Sequence, residues 1–217
     1  MVIVGLVSGL LGFVGRGWWT DKNVSTSETK NEGILIIGVI DGDTIVTENK
    51  VRVRLRHIDA PELENCGGPE AKKLLEEMVL DKRVEIKEQI IDQKGRPMGL
   101  IWIDDALVNK RMLAEGWARY HSDTTTVTEE MKQVTSEAKA VLVGLWGRCR
   151  QTENLTKPKC NIKGNIDPNN TSLKIYQMPG CVQYKTTTVD LDRGEEWFCT
   201  ESEAKKAGYV KSKRCGD

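Results

Sequence analysis

Val51-Arg52-Val53-Arg54-Leu55-Arg56-His57-Ile58-Asp59-Ala60-Pro61-Glu62 is the stretch on which the reading of this chain turns. Its first six residues alternate, placing the valines and the leucine on one face of a strand and three arginines on the other. A solvated sheet face would explain that pattern. Cations about 7 Å apart on one strand also repel one another, a cost that makes sense where an anion or carboxylates sit opposite. Pro61 lacks an N–H and biases Ala60 toward extended geometry, so the strand ends here and turns its carboxylates outward. Strict alternation sets Asp59 on the face away from Arg54, and the two can share a site only if an irregularity falls between residues 56 and 61.

Strand signals cover residues 34–40, 44–47, 51–58, 84–91 and 100–103. One helical stretch opens at Pro69 and runs through Ala71, Leu74, Leu75 and Met78. Two more follow, over 108–115 stopped by Gly116 and over 129–143 stopped by Gly144. The economical assembly is α+β, mainly β: a five-stranded Greek-key barrel of the oligonucleotide/oligosaccharide-binding (OB-fold) type with three helices. Asp41-Gly42-Asp43-Thr44 lies between the first two strands, where Gly42 permits a tight turn that brings a carboxylate back toward the barrel. Taken alone, that motif is an ordinary hairpin turn. Asp92-Gln93-Lys94-Gly95-Arg96 is a second turn, delivering an arginine at the start of a strand.

Composition bounds the classes of function. Of 217 residues, 39% are hydrophobic and 29% charged, with 32 basic and 32 acidic side chains. A folded chain with no global positive field is not a non-specific DNA coat, and any hold on nucleic acid must come from a local site. Residues 1–30 carry a net +1, 31–149 a net −4 and 150–217 a net +3. The acidic middle suits a cation. The first 15 residues hold no charge and Trp18 and Trp19 follow, so 1–19 read as a signal peptide or a membrane anchor. At 1.5 Å per residue the run is about 22 Å long, short of a bilayer core. Residues 20–32 read as a linker, 33–149 as the barrel domain, 150–158 as a second linker and 159–217 as a small cysteine-containing domain with little regular patterning.

D-G-D-T, then V-R-x-x-x-I-D-A-P-E, then G-P-E-A, then G-R before an apolar strand, then G-L-W occur in one order, and over residues 33–147 the chain resembles the staphylococcal (thermonuclease) nuclease family. The resemblance implies a Ca²⁺-dependent nuclease acting on DNA and RNA, single strands preferred, leaving 3′-phosphate and 5′-hydroxyl ends. It implies that Asp43 and Asp59 are carboxylate ligands of one Ca²⁺ and the Ala60 carbonyl a third ligand. Glu62 would position or deprotonate the attacking water, while Arg54 and Arg96 would grip the phosphate. Arginine's planar fork suits phosphate better than lysine does, and a carboxylate beside a cation stays ionised near neutral pH to accept a proton. The chain departs from the family's pattern in three places. Ala60 replaces a threonine, the loop after Glu62 is about six residues shorter, and Ser122 and Thr124 stand where tyrosines would pack on a nucleotide. Tyr120 and Trp117 are near enough to replace them, Trp117 being the better core residue. Asp41 reads as a turn carboxylate, and His57 and His121 as packing or surface residues.

Cys160, Cys181, Cys199 and Cys215 are spaced too widely for a zinc knuckle, and an exported chain favours disulfides. The tail nevertheless resembles small modules appended to exported nuclease homologues, themselves similar to a zinc-binding fold, so a structural zinc is the alternative. Gln177 stands where such modules often carry histidine. Cys66 and Cys149 are the extra pair, with connectivity open. The chain is expected to be exported, secreted or tethered to the outer face of a membrane, monomeric and without a small-molecule cofactor. Two competing readings are a non-catalytic nucleic-acid-binding barrel and an extracytoplasmic metal-binding protein. A pure binder needs no joint set of Asp43, Arg54, Asp59, Glu62 and Arg96.

Overall fold

Alternating apolar residues close into a barrel in the computed structural model, which describes residues 33–216. The leader expected over residues 1–19 and the linker expected over 20–32 lie outside the described residues. Strands β1 (Ile34–Val39), β2 (Thr44–Thr47) and β3 (Arg52–Leu55) form an antiparallel meander, followed by the short β4 (Ile58–Asp59) and helix α1 (Gly68–Val79). Next come β5 (Arg83–Ile91), β6 (Pro97–Ile103), β7 (Ala106–Leu107), α2 (Val108–Ala114) and β8 (Arg119–Tyr120). Helices α3 (Thr128–Ala140) and α4 (Leu145–Arg148) and strand β9 (Arg150–Gln151) complete this half. The order β3-β2-β1-β5-β6 is closed by parallel pairing of β3 with β6, Arg54 lying beside Met98.

Ile36, Ile45, Val53, Leu55, Leu100 and Ile101 fill the barrel. Helix α1 buries Ala71, Leu75 and Val79 at four-residue spacing, which lays one apolar stripe on that core. Asn109 is the buried polar pin. It accepts the Ile101 N–H and donates to the carbonyls of Arg56 and Gly99, so every hydrogen-bonding group it brings inside is satisfied. The fourth helix, α4, is absent from the sequence expectation of three because one turn is too short to show a helical period.

Strand β3 stops at Leu55 instead of running to 58. His57 turns left-handed at φ 64°, and β4 resumes as a separate strand paired with β8. The irregularity required between residues 56 and 61 therefore exists.

From Cys160 onward the expectation of little regular structure is corrected. Strands β10 (Ile162–Asp167), β11 (Asn170–Gln177), β12 (Val189–Asp190), β13 (Glu196–Phe198) and β14 (Val210–Lys211) occur there with helix α5 (Glu201–Lys206). Four of the strands make a sheet in the order β13-β10-β11-β14 around Ile162, Tyr176, Phe198, Ala204 and Tyr209. The pattern is faint because polar side chains are inside. Lys163 is 1% exposed and donates to the carbonyls of Tyr184 and Thr187. The cysteines pair Cys66–Cys149, Cys160–Cys199 and Cys181–Cys215, with none free. Those bonds overturn the zinc alternative, since a zinc ion binds cysteine as the thiolate and no thiol is left. No helix among the described residues is long and apolar enough to cross a membrane.

Candidate active site

The turn between β1 and β2 packs directly against Ala60 after β4 and Ala71 of α1. A Cβ on Gly42 would stand 2.5 Å from the Ala71 Cβ and 2.6 Å from the Ala60 Cβ, so only glycine lets the turn seat there. Asp41 takes the turn role expected of it, its Oδ1 accepting the Asp43 N–H at 3.0 Å. The close approach delivers Asp43 to the Ala60 N–H, which donates to its Oδ2 at 3.0 Å, while Thr44 Oγ1 donates to its Oδ1 at 2.9 Å.

From β3, Arg54 reaches both carboxylates, its Nη1 lying 2.6 Å from Asp43 Oδ1 and its Nη2 2.6 Å from Asp59 Oδ1. The break at His57 is what turns Asp59 to Arg54's side. Asp43 is 2% exposed, whereas the Asp59 side chain is 61% exposed. Burial pushes the Asp43 carboxyl up to about 7 even though Arg54 and the Ala60 N–H pull it down. A single guanidinium thus faces two acids, one buried and one solvated. That donor set fits a hard divalent cation, which prefers carboxylate, carbonyl and water oxygens. It does not form a cage: among the described residues no three His, Cys, Asp or Glu side chains converge on a metal position. Ala60 meets Asp43 through its N–H.

Glu62 follows Pro61 on the same segment, which crosses directly over the start of α1. A Cβ on Gly68 would collide with the Glu62 carbonyl, so this glycine lets the helix begin under the loop. The Glu62 carboxylate has no hydrogen bond or ion pair among the described residues, and it lines a cleft of about 490 Å³ together with Asp59 and Ala60. Arg96 is not brought into contact with these groups. It sits at the β5–β6 turn, where Nε donates to Asp92 Oδ2 at 2.7 Å, one strand over from Arg54 in the barrel. Arg56, from the same arginine stripe, goes inside: it is 5% exposed, grips Asp123 through two nitrogens at 2.6 and 2.7 Å, and caps the carbonyls of Glu88 and Thr124. It is a structural residue. His57 packs as expected, its ring 5.8 Å from that of Tyr120 and its Nε2 2.6 Å from Thr125 Oγ1.

What the sequence did not signal is the far wall of the cleft. Ile166, Pro168 and Thr171 of the β10–β11 hairpin line it, with Asp192 and Arg193 from a 3-10 turn at Leu191–Arg193. Arg119, paired across β4–β8 with Asp59, ties this wall down. Its Nε lies 2.6 Å from Asp192 Oδ2 and its Nη2 3.0 Å from Asp190 Oδ2. Partners 73 residues apart leave no local pattern to read.

A family model described as staphylococcal nuclease homologue matches residues 52–148. The chain is 36% identical over 126 residues to protein ParB of Escherichia coli, covering 51% of this chain and 70% of that protein. It is 31% identical over 126 residues to a micrococcal nuclease of Shigella flexneri, covering 51% of this chain and 71% of that protein. A probable staphylococcal-like nuclease of Oryza sativa, CAN3, is 34% identical over 120 residues that make up 55% of this chain and 31% of that protein.

Proposed function

The chain belongs to the staphylococcal nuclease homologue family, and from that premise we propose a Ca²⁺-dependent nuclease that hydrolyses phosphodiester bonds in single-stranded or frayed DNA and RNA, leaving 3′-phosphate and 5′-hydroxyl ends. Nuclease action on nucleic acid is what membership carries. The ion, the strand preference and the residue roles rest on the chemistry of the site.

The observation that carries the reading is the convergence of Asp43 and Asp59 on Arg54 beside Glu62, which has no partner among the described residues. Asp43 and Asp59 would hold the Ca²⁺, with the Ala60 carbonyl as the third protein oxygen. When bound, the ion supplies positive charge against the phosphate charge that grows from −1 toward −2 as water adds to phosphorus. Arg54 uses two of the roughly five N–H donors of a guanidinium on the carboxylates, and the others are free to hold the phosphate oxygens. A donor of this kind in a preorganised site contributes about 3–4 kcal/mol to the transition state. Glu62 accepts the proton of the attacking water as its oxygen bonds to phosphorus, the bond from phosphorus to the 5′ oxygen breaks, and that oxygen takes a proton from solvent to become the 5′-hydroxyl. Arg96 joins by leaving Asp92, its partner in the β5–β6 turn. Three disulfides that use every cysteine support an oxidising, exported location, with residues 1–19 as leader or anchor.

The test is cleavage of denatured DNA and of RNA by the purified full chain. A chelator abolishes it and Ca²⁺ restores it; cutting that survives the chelator removes the metal from the mechanism.

A further inference from the structure

The cleft beside Glu62 has two walls, and they come from opposite ends of the chain. One is the segment from Asp59 to Glu62 with β8 behind it. The other is the β10–β11 hairpin and the 3-10 turn at Leu191–Arg193. The second wall is held by hydrogen bonds and ion pairs. Asp167 Oδ1 accepts the N–H groups of Asn169 at 2.8 Å and Asn170 at 3.1 Å, which fixes the hairpin tip. Asp192 is held by Arg119 through two nitrogens at 2.6 and 2.9 Å, and Leu191 N–H donates to the Cys149 carbonyl at 2.9 Å.

Charge on the cleft is divided unevenly. Arg119 spends its charge on Asp190 and Asp192. Arg193, the next residue, is exposed and has no hydrogen bond or ion pair among the described residues, although Asp59 and Glu62 line the same cleft. It is therefore the lining arginine whose full set of donors is open to a ligand. A nuclease substrate is a string of phosphates, and an arginine with no protein partner in the cleft that Glu62 lines is placed to meet one of them.

We propose that the C-terminal module completes the substrate site and that Arg193 binds a phosphate flanking the scissile one, so that the cleft takes a strand carrying two or more phosphates in preference to an isolated phosphodiester. The inference rests on the nuclease reading above. A cleft of about 490 Å³ accommodates a short piece of single strand, within the usual size of a site for one small molecule and too small to enclose a duplex. Phosphate contacts of this kind position the strand without reading its sequence.

The experiment measures binding of a fluorescein-labelled oligothymidylate decamer to the full chain carrying Glu62→Gln, with and without Arg193→Ala, across a NaCl series. Loss of one phosphate contact makes the slope of log K against log salt shallower by about 0.7 and weakens binding about fivefold at 0.1 M salt. Arg193→Lys keeps the slope, and Lys206→Ala, on α5 away from the cleft, leaves it unmoved. In the Glu62 background, kcat/KM for the decamer falls at least fivefold more on Arg193→Ala than kcat/KM for the dinucleotide TpT, which has a single phosphate. An unmoved salt slope, or equal losses on the two substrates, overturns the role of Arg193. If the chain cleaves neither substrate with Ca²⁺, the hydrolytic reading fails while the salt slope still decides whether Arg193 holds a strand. An unchanged circular dichroism spectrum excludes misfolding as the cause.

Discussion

Replacing Arg119 by methionine tests how the second wall is held. The substitution keeps much of the side-chain volume and removes the cation, leaving Asp192, whose side chain is 1% exposed, and Asp190, at 13%, without their closest partner. Stripping one member from a buried charge network costs about 3–5 kcal/mol, because the remaining charge stays desolvated. The Arg119 guanidinium also lies 4.7 Å from the Trp146 ring, a contact worth about 0.5–1 kcal/mol more. With a urea slope of about 2 kcal/mol per molar, the unfolding midpoint falls by about 2 M. Urea titration followed by tryptophan fluorescence measures this. Adding Asp192→Leu to Arg119→Met restores part of the loss, since the orphaned charge goes with it. Lys110→Ala, which breaks the exposed pair with Glu130, moves the midpoint by less than about 0.3 M. A shift below about 0.5 M for Arg119→Met, or a double variant no better than the single one, refutes the reasoning.

Glu62→Gln lowers kcat by about 10²–10⁴ while changing oligonucleotide affinity little; stopped-flow cleavage and equilibrium binding separate the two, and equal losses recast Glu62 as structural. Ca²⁺ affinity, followed by calorimetry, weakens about tenfold per pH unit below pH 7 and levels off above it, because Asp43 must surrender a proton held up to about 7 by burial. In chelated protein the same carboxyl favours the folded state at low pH. Its contribution is full below the unfolded value of 3.8 and is lost as the pH rises through about 7, and Asp43→Asn removes this part of the melting-temperature profile. Replacing Cys66 and Cys149 together by serine opens a loop of sequence separation 83 and costs about 4–5 kcal/mol on loop entropy, seen as a lower denaturant midpoint under non-reducing conditions.

The barrel is legible because each of its strands buries one face, and the alternation of Val53 and Leu55 against Arg52 and Arg54 is that burial written in sequence. Proline at 61 and the parity conflict between Arg54 and Asp59 suffice to locate the break that the left-handed His57 makes. The stripe of arginines was less informative than it looked. Arg54 faces carboxylates, Arg56 is interior mortar and Arg52 is solvated, and only tertiary partners distinguish them. The C-terminal sheet escaped detection because its small core is shared between aromatic rings, disulfides and buried polar groups such as Lys163 and Gln177, so neither a period of two nor one of 3.6 stands out. The far wall of the cleft was illegible for a simpler reason: Asp192 acquires meaning only through Arg119, and nothing local to either residue announces the other.

The pairing of the cysteines has a consequence for the life of the molecule. Cys66–Cys149 closes within the barrel half, and Cys160–Cys199 and Cys181–Cys215 close within the tail, so between Gln151 and Cys160 the polypeptide is a single thread with no covalent bypass. One proteolytic nick there turns one molecule into two pieces that stay together only through Arg119 and its acids, the β9–β12 pair and their neighbours. An opening that an intact molecule would reverse becomes, in a cut one, a separation.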